Sequence, residues 1–229
     1  RSKTLADQTL RKYPKNPDVL FIKAMTCAGL EDYTNAIKYF EKTQKILPDE
    51  NRIILEKADC LMWFEKYEKA LAAYDLVLEK DHNNTEILSD KGFCLSLMKE
   101  HEKAIEVYKK ILEIDPADGQ AEFRSILPLI GLKRYDEVIE ICNRFHNDKE
   151  ADTMISWARA EALFGLTKFE EAIKVVDKME PLDPTMHVGL KGFILDAFLV
   201  KGKCFEMMNK FEDAKKTFHD VIKKCKDKD

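Results

Sequence analysis

Apolar residues along this chain return on two scales at once. Locally they recur every third or fourth position, as in Ile54, Ala58 and Leu61, or Phe198, Gly202 and Phe205. That spacing lines one face of a 3.6-residue helix and predicts amphipathic helices throughout. At longer range the same chemistry returns every 34 residues. Ala36, Ala70, Ala104, Val138 and Ala172 form one column. Tyr33, Tyr67, His101, Tyr135 and Phe169 form a second, and Phe40, Tyr74, Tyr108, Cys142 and Val176 a third. Short polar turns such as Glu31-Asp32 and Glu65-Lys66 fall between helical stretches, and Pro14, Pro48, Pro116 and Pro184 close several repeats. A repeat of this length cannot bury its apolar face alone, so neighbours are predicted to stack.

The phase of the columns gives five full repeats, 17–50, 51–84, 85–118, 119–152 and 153–186. Residues 187–194 then interrupt the period as an insertion that lengthens a helix, and a sixth repeat with a short tail occupies 195–229. Residues 1–16 read as the second helix of a preceding, partial repeat. Position 8 of most repeats is small (Ala24, Ala58, Gly92, Gly202), which lets the two helices of a hairpin approach closely. Pro128 lies inside the first helix of repeat 4, where it removes a backbone hydrogen bond, so a kink is expected there.

These columns carry a family resemblance. The repeat resembles the tetratricopeptide repeat, a helix–turn–helix of 34 residues with a small residue at position 20, aromatics at 17 and 24, and proline at 32. The resemblance implies an all-α fold: a right-handed α–α superhelix, or solenoid, of about six helical hairpins, with first helices on the concave side. Repeat 4 departs most, with Val138 and Cys142 at two of the marked positions.

Composition narrows the function. Charged residues make up 35% of the chain, hydrophobic residues 45%, and the formal net charge is −4. That balance argues against a nucleic-acid binder, which needs clustered Lys and Arg. No apolar run reaches a membrane-spanning length and no signal-peptide pattern is present. Six cysteines are scattered with no CxxC pair, so no disulfide framework and no zinc site are expected, and a cytoplasmic setting is. Nucleotide-binding loops, nucleophile elbows and metal-protease motifs are missing, and the histidines stand apart in sequence. The expectation is a non-enzyme with no catalytic residue, metal or cofactor.

Function is therefore sought on the surface. Positions 5, 9 and 12 of each first helix make a second stripe, one residue on from the packing stripe. The resemblance turns this stripe toward the groove. It reads Phe21, Met25 and Ala28 in repeat 1, then Leu55, Asp59 and Met62, then Ser89, Phe93 and Ser96. Repeats 4 to 6 give Phe123, Leu127 and Ile130, then Trp157, Glu161 and Phe164, then Leu199, Lys203 and Glu206. A stripe this apolar marks a binding surface. The candidate partner-binding residues are Phe21, Met25, Leu55, Asp59, Met62, Phe93, Phe123, Leu127, Trp157 and Phe164. For Phe123 and Trp157 both groove and core stay open, because the packing position before each holds Glu122 or Ser156.

The family's carboxylate clamp, which holds acidic chaperone tails, needs Lys, Asn and Arg where this chain has Phe21, Met25, Glu56, Glu86 and Asp90. Glu56, Asp59, Glu86 and Asp90 would repel such a tail. The expected function is a protein-interaction scaffold or adaptor whose concave groove takes a peptide or helical segment with hydrophobic anchors and one or two Lys or Arg. The alternatives are a sensor or carrier of a small peptide or hydrophobic ligand, and a self-assembling subunit. The latter would form a homo-oligomer through an uncapped C-terminal end that shows Phe218, Val221 and Ile222. A chain that opens on Arg1 is expected to be a piece of something longer.

Overall fold

The computed structural model describes residues 2–145, 152–179 and 188–226. Pro184 and His187, the first residue of the insertion, lie outside those bounds. Thirteen α-helices and no strand occur among the described residues. They are α1 (Ser2–Lys12), α2 (Pro17–Ala28), α3 (Tyr33–Gln44), α4 (Asn51–Trp63), α5 (Tyr67–Leu78), α6 (Thr85–Leu97), α7 (His101–Ile114), α8 (Gly119–Gly131), α9 (Tyr135–Arg144), α10 (Asp152–Gly165), α11 (Phe169–Asp177), α12 (Val188–Met207) and α13 (Phe211–Lys226). The chain falls into two compact units, residues 1–121 and 122–229. Helix α8 runs through Pro128 without interruption.

Each helix starts and stops for a local reason. Asn16 and Asn84 cap α2 and α6 by accepting the backbone N–H of Val19 and Ile87, at 3.1 and 3.2 Å. Pro17 follows Asn16 in the first helical turn, where a missing N–H costs nothing. Two or three residues past the end of every first helix comes a residue in the left-handed region: Glu31, Glu65, Lys99, Lys133, Thr167 or Asn209, with φ between 56 and 61°. The next residue then reaches back to a carbonyl five positions earlier. Lys66 N–H donates to Leu61 O at 2.8 Å and Glu100 N–H to Leu95 O at 2.9 Å. The second helix begins two residues after the left-handed one, so the turn fixes the hairpin.

None of the six left-handed residues is glycine. An L side chain there costs about 1–2 kcal/mol, and Thr167 is β-branched, which makes it the most strained. Thr167→Gly is expected to stabilise the chain by about 1 kcal/mol, less the extra backbone entropy that glycine loses on folding. A lower urea midpoint for the variant would contradict this.

In unit 1 each helix packs on the next, from α1 to α7. Ala24, Ala36, Phe40, Ile53 and Cys60 close one core cluster. Ile54, Ala58, Tyr74, Leu88, Leu95, Tyr108 and Ile111 close a second. The side chains of the 24-column, Phe40, Tyr74 and Tyr108, are among the largest fully buried groups. Gly92 shows why position 8 is small: a Cβ there would lie 2.8 Å from the buried Tyr108 ring.

In unit 2, α10 packs on α9, α11 and α12, and α12 on α13. Ile126, Val138, Cys142, Ala158, Ala172, Val176, Ile194 and Val200 are buried. Helix α12 has 20 residues against 12 or 13 for α2, α4 and α6, and residues 188–194 form its first turns.

Candidate functional site

Three first helices, α2, α4 and α6, place the candidate side chains of unit 1. Phe21 is half-buried. Its ring meets Phe40 edge-on at 5.7 Å, and the Arg52 guanidinium lies 4.7 Å from the ring centroid. Leu55 and Met62 are also half-buried, packed on the second core cluster. Met25 and Phe93 stand out, with 41% of Phe93 exposed. Ser96 turns inward and bonds the Gly92 carbonyl at 2.9 Å, so position 12 of α6 offers nothing to a partner.

Two residues outside the predicted stripe extend this face. Trp63 is 74% exposed and Leu97 38%. Each lies one helical turn beyond a stripe residue, Trp63 after Asp59 and Leu97 after Phe93. Continuing the stripe from position 9 by the same i+4 step would have found both. A tryptophan this exposed is unusual, since the side chain carries a large apolar surface that water solvates poorly.

Carboxylates gather beside these anchors. The Tyr74 hydroxyl donates to an Asp59 carboxylate oxygen at 3.2 Å. Asp59 is exposed as a residue, yet the carboxylate loses water against its neighbours. That desolvation holds its pKa above the ordinary value, the Tyr74 bond pulls it back, and the charge of Glu86 adds to the rise. Glu56 is raised by burial first and by Asp59 second, while Arg52 opposes. Tyr74 is raised strongly, by burial and then by Asp59 and Asp90. These couplings put α4 and α6 carboxylates in one patch over the Tyr74 hydroxyl. Among the described residues Glu56, Asp59 and Glu86 form no ion pair, and Arg52 bears on Glu56.

Unit 2 treats its four candidates differently. Leu127 is exposed. Phe123 is half-buried, edge-on to Phe145 at 6.0 Å. Phe164 is half-buried, tilted on Phe169 at 5.8 Å. Trp157 is only 9% exposed and packs on Phe193 at 5.2 Å. Trp157 is thus a core residue and drops out of the set of available anchors. The reason is the insertion, whose Phe193 covers the indole.

Cys27, Cys60, Cys94, Cys142 and Cys204 are buried and in no disulfide. Burial pushes the thiols of Cys60, Cys94, Cys142 and Cys204 up to about 11, so they stay protonated and poorly nucleophilic near neutral pH. Among the described residues no group of three or more His, Cys, Asp or Glu could hold a metal ion. No described helix is long and apolar enough to cross a membrane.

Stacked helix–turn–helix hairpins with apolar first-helix faces define a helical-repeat solenoid, an architecture for protein–protein interaction. The chain belongs to the tetratricopeptide repeat family. Four tetratricopeptide repeat models match it, at residues 1–51, 28–91, 85–118 and 196–227. No curated protein sequence gives a significant match. Solved structures similar in fold include a tetratricopeptide repeat protein from Parabacteroides merdae, with a TM-score of 0.74 at 18% identity, over 96% of this chain and 84% of that one. MamA from Desulfovibrio magneticus, residues 41 to the end, has a TM-score of 0.64 at 18% identity, over 79% of this chain and 98% of that one. YrrB, described as a TPR protein with an unusual peptide-binding site, has a TM-score of 0.59 at 13% identity, over 76% and 89% of the two chains. At these identities the likeness is one of fold.

Proposed function

We propose that the chain is an adaptor that holds a peptide or helical segment of another protein on the first-helix face of unit 1. The observation that carries this reading is the pair of exposed aromatics on consecutive first helices, Trp63 and Phe93, with Leu97 and Met25 beside them in the repeat pattern. Exposed apolar side chains on one face favour docking of a partner with its own apolar anchors. Burying two or three such anchors at about 1.5–3 kcal/mol each supports roughly micromolar affinity once ordering costs are met. YrrB, similar in fold, shows by its description that this architecture can carry a peptide-binding site. The carrier reading has less support, because Phe193 fills the space beside Trp157 that a small ligand would need.

The test is a displayed dodecapeptide library selected on the whole chain, with the selected peptides titrated against wild type and Trp63→Ala/Phe93→Ala. Selected peptides are expected to carry paired apolar residues and to lose most of their affinity for the variant. Peptides that bind both chains equally would move the site elsewhere.

A further inference from the structure

We infer that this face selects a partner segment with an arginine flanked by its apolar anchors, the guanidinium docking on the carboxylates of Glu56, Asp59 and Glu86 beside the Trp63 indole. The inference rests on the reading of unit 1 as the docking face and specifies the partner's charge.

Charge complementarity is the first argument. Glu56 and Asp59 lie on α4 and Glu86 in the first turn of α6, and no described basic side chain forms an ion pair with any of them. Arg52 opposes the rise of Glu56 but does not figure for Asp59, and its guanidinium lies over the Phe21 ring. An ordinary helical surface intersperses both signs, so three unpaired acids beside an apolar face form a local negative field.

The second argument is geometric. Tyr74 is fully buried and its hydroxyl donates to Asp59, which pins that carboxylate in place. One turn along the same helix the Trp63 indole is 74% exposed. A planar cation beside a fixed carboxylate and an indole face gains both a charge-assisted hydrogen bond and a cation–π contact. Arginine fits both better than lysine does, because its fork is planar and weakly hydrated.

The third argument is cost. Glu56 and Asp59 are held above their ordinary pKa, so the folded chain disfavours their charged forms. For a raised carboxylate the folded state takes up protons more readily than the unfolded one, so this contribution to stability improves as pH falls and is adverse at neutral pH. Charges kept where they weaken the fold point to a role outside it. An arriving guanidinium would relieve that cost on binding.

The experiment uses the whole chain and the dodecapeptides selected on it. Arginine is expected to be enriched between apolar positions. Replacing that arginine by glutamine in the peptide is expected to weaken binding to wild type about tenfold, with lysine between. On Glu56→Gln/Asp59→Asn the same peptide change is expected to matter less than twofold, and the urea midpoint of that chain should not fall. An arginine effect equal on both chains, no arginine effect, or a lower midpoint would overturn the inference. If Arg→Gln is neutral while Trp63→Ala/Phe93→Ala still abolishes binding, the docking face stands and only its charge selection fails. If Trp63→Ala/Phe93→Ala also leaves binding intact, both readings fall.

Discussion

Phe40→Ala is expected to destabilise unit 1 by about 3–5 kcal/mol, the range for removing a fully buried aromatic side chain. The side chain is 0% exposed, sits among Ala24, Cys27, Ala36, Ile53 and Cys60, and supports the Phe21 ring edge-on at 5.7 Å. It has no polar atom whose loss could confuse the result. The cavity cannot refill cheaply, because its neighbours Ala24 and Ala36 are already small and fully buried. Stacked repeats are stabilised by nearest-neighbour interfaces, so the loss should fall first on α1 to α4 and leave unit 2 folded. Against a typical stability of about 5–15 kcal/mol, that would make the N-terminal hairpins open measurably. Amide exchange in α2 and α3 should quicken by about two to four orders of magnitude. A change under about 1 kcal/mol, or exchange that quickens equally in both units, would contradict the assignment of Phe40 as the keystone of that cluster.

The second large effect is on binding rather than folding. Trp63→Ala/Phe93→Ala is expected to leave the fold within about 0.5 kcal/mol of wild type, since both side chains are exposed and surface changes cost little. The same variant is expected to weaken the selected peptides by about a hundredfold, or ~2.7 kcal/mol. Tryptophan dominates interface hot spots because its large rigid surface is desolvated at low entropy cost. The obvious alternative choice, charges at Phe21 and Leu55, would be a poorer probe. Phe21 carries both Phe40 and Arg52, and Leu55 packs on the core, so a glutamate at either would damage the fold it is meant to spare.

Much of this was legible in the sequence for one physical reason: the turn is rigid. The column Tyr33, Tyr67, His101, Tyr135 and Phe169 supplies the first residue of α3, α5, α7, α9 and α11. The left-handed residue two positions before each keeps that register without glycine. The acidic patch was legible too, since Glu56, Asp59, Glu86 and Asp90 fall on one stripe of α4 and α6 by spacing alone.

What sequence could not supply was exposure. In unit 1 the position 5 residues Phe21, Leu55 and Ser89 are half-buried, whereas the position 9 residues Met25, Asp59 and Phe93 stand out. The spacing puts both rows on one stripe and does not say which row the neighbouring helices cover. Trp157 could be either groove or core until Phe193, carried on an insertion with no counterpart in the other repeats, was seen to cover it. Trp63 and Leu97 are the last residues of α4 and α6, at position 13, one step beyond a stripe of positions 5, 9 and 12.

The most direct measurement of the central claim is the pair of equilibrium affinities of one selected dodecapeptide for the wild-type chain and for Trp63→Ala/Phe93→Ala, with both chains shown to be folded by urea titration. The account predicts about a hundredfold weaker binding to the variant. Affinities equal within twofold would show that partners dock elsewhere and would contradict it.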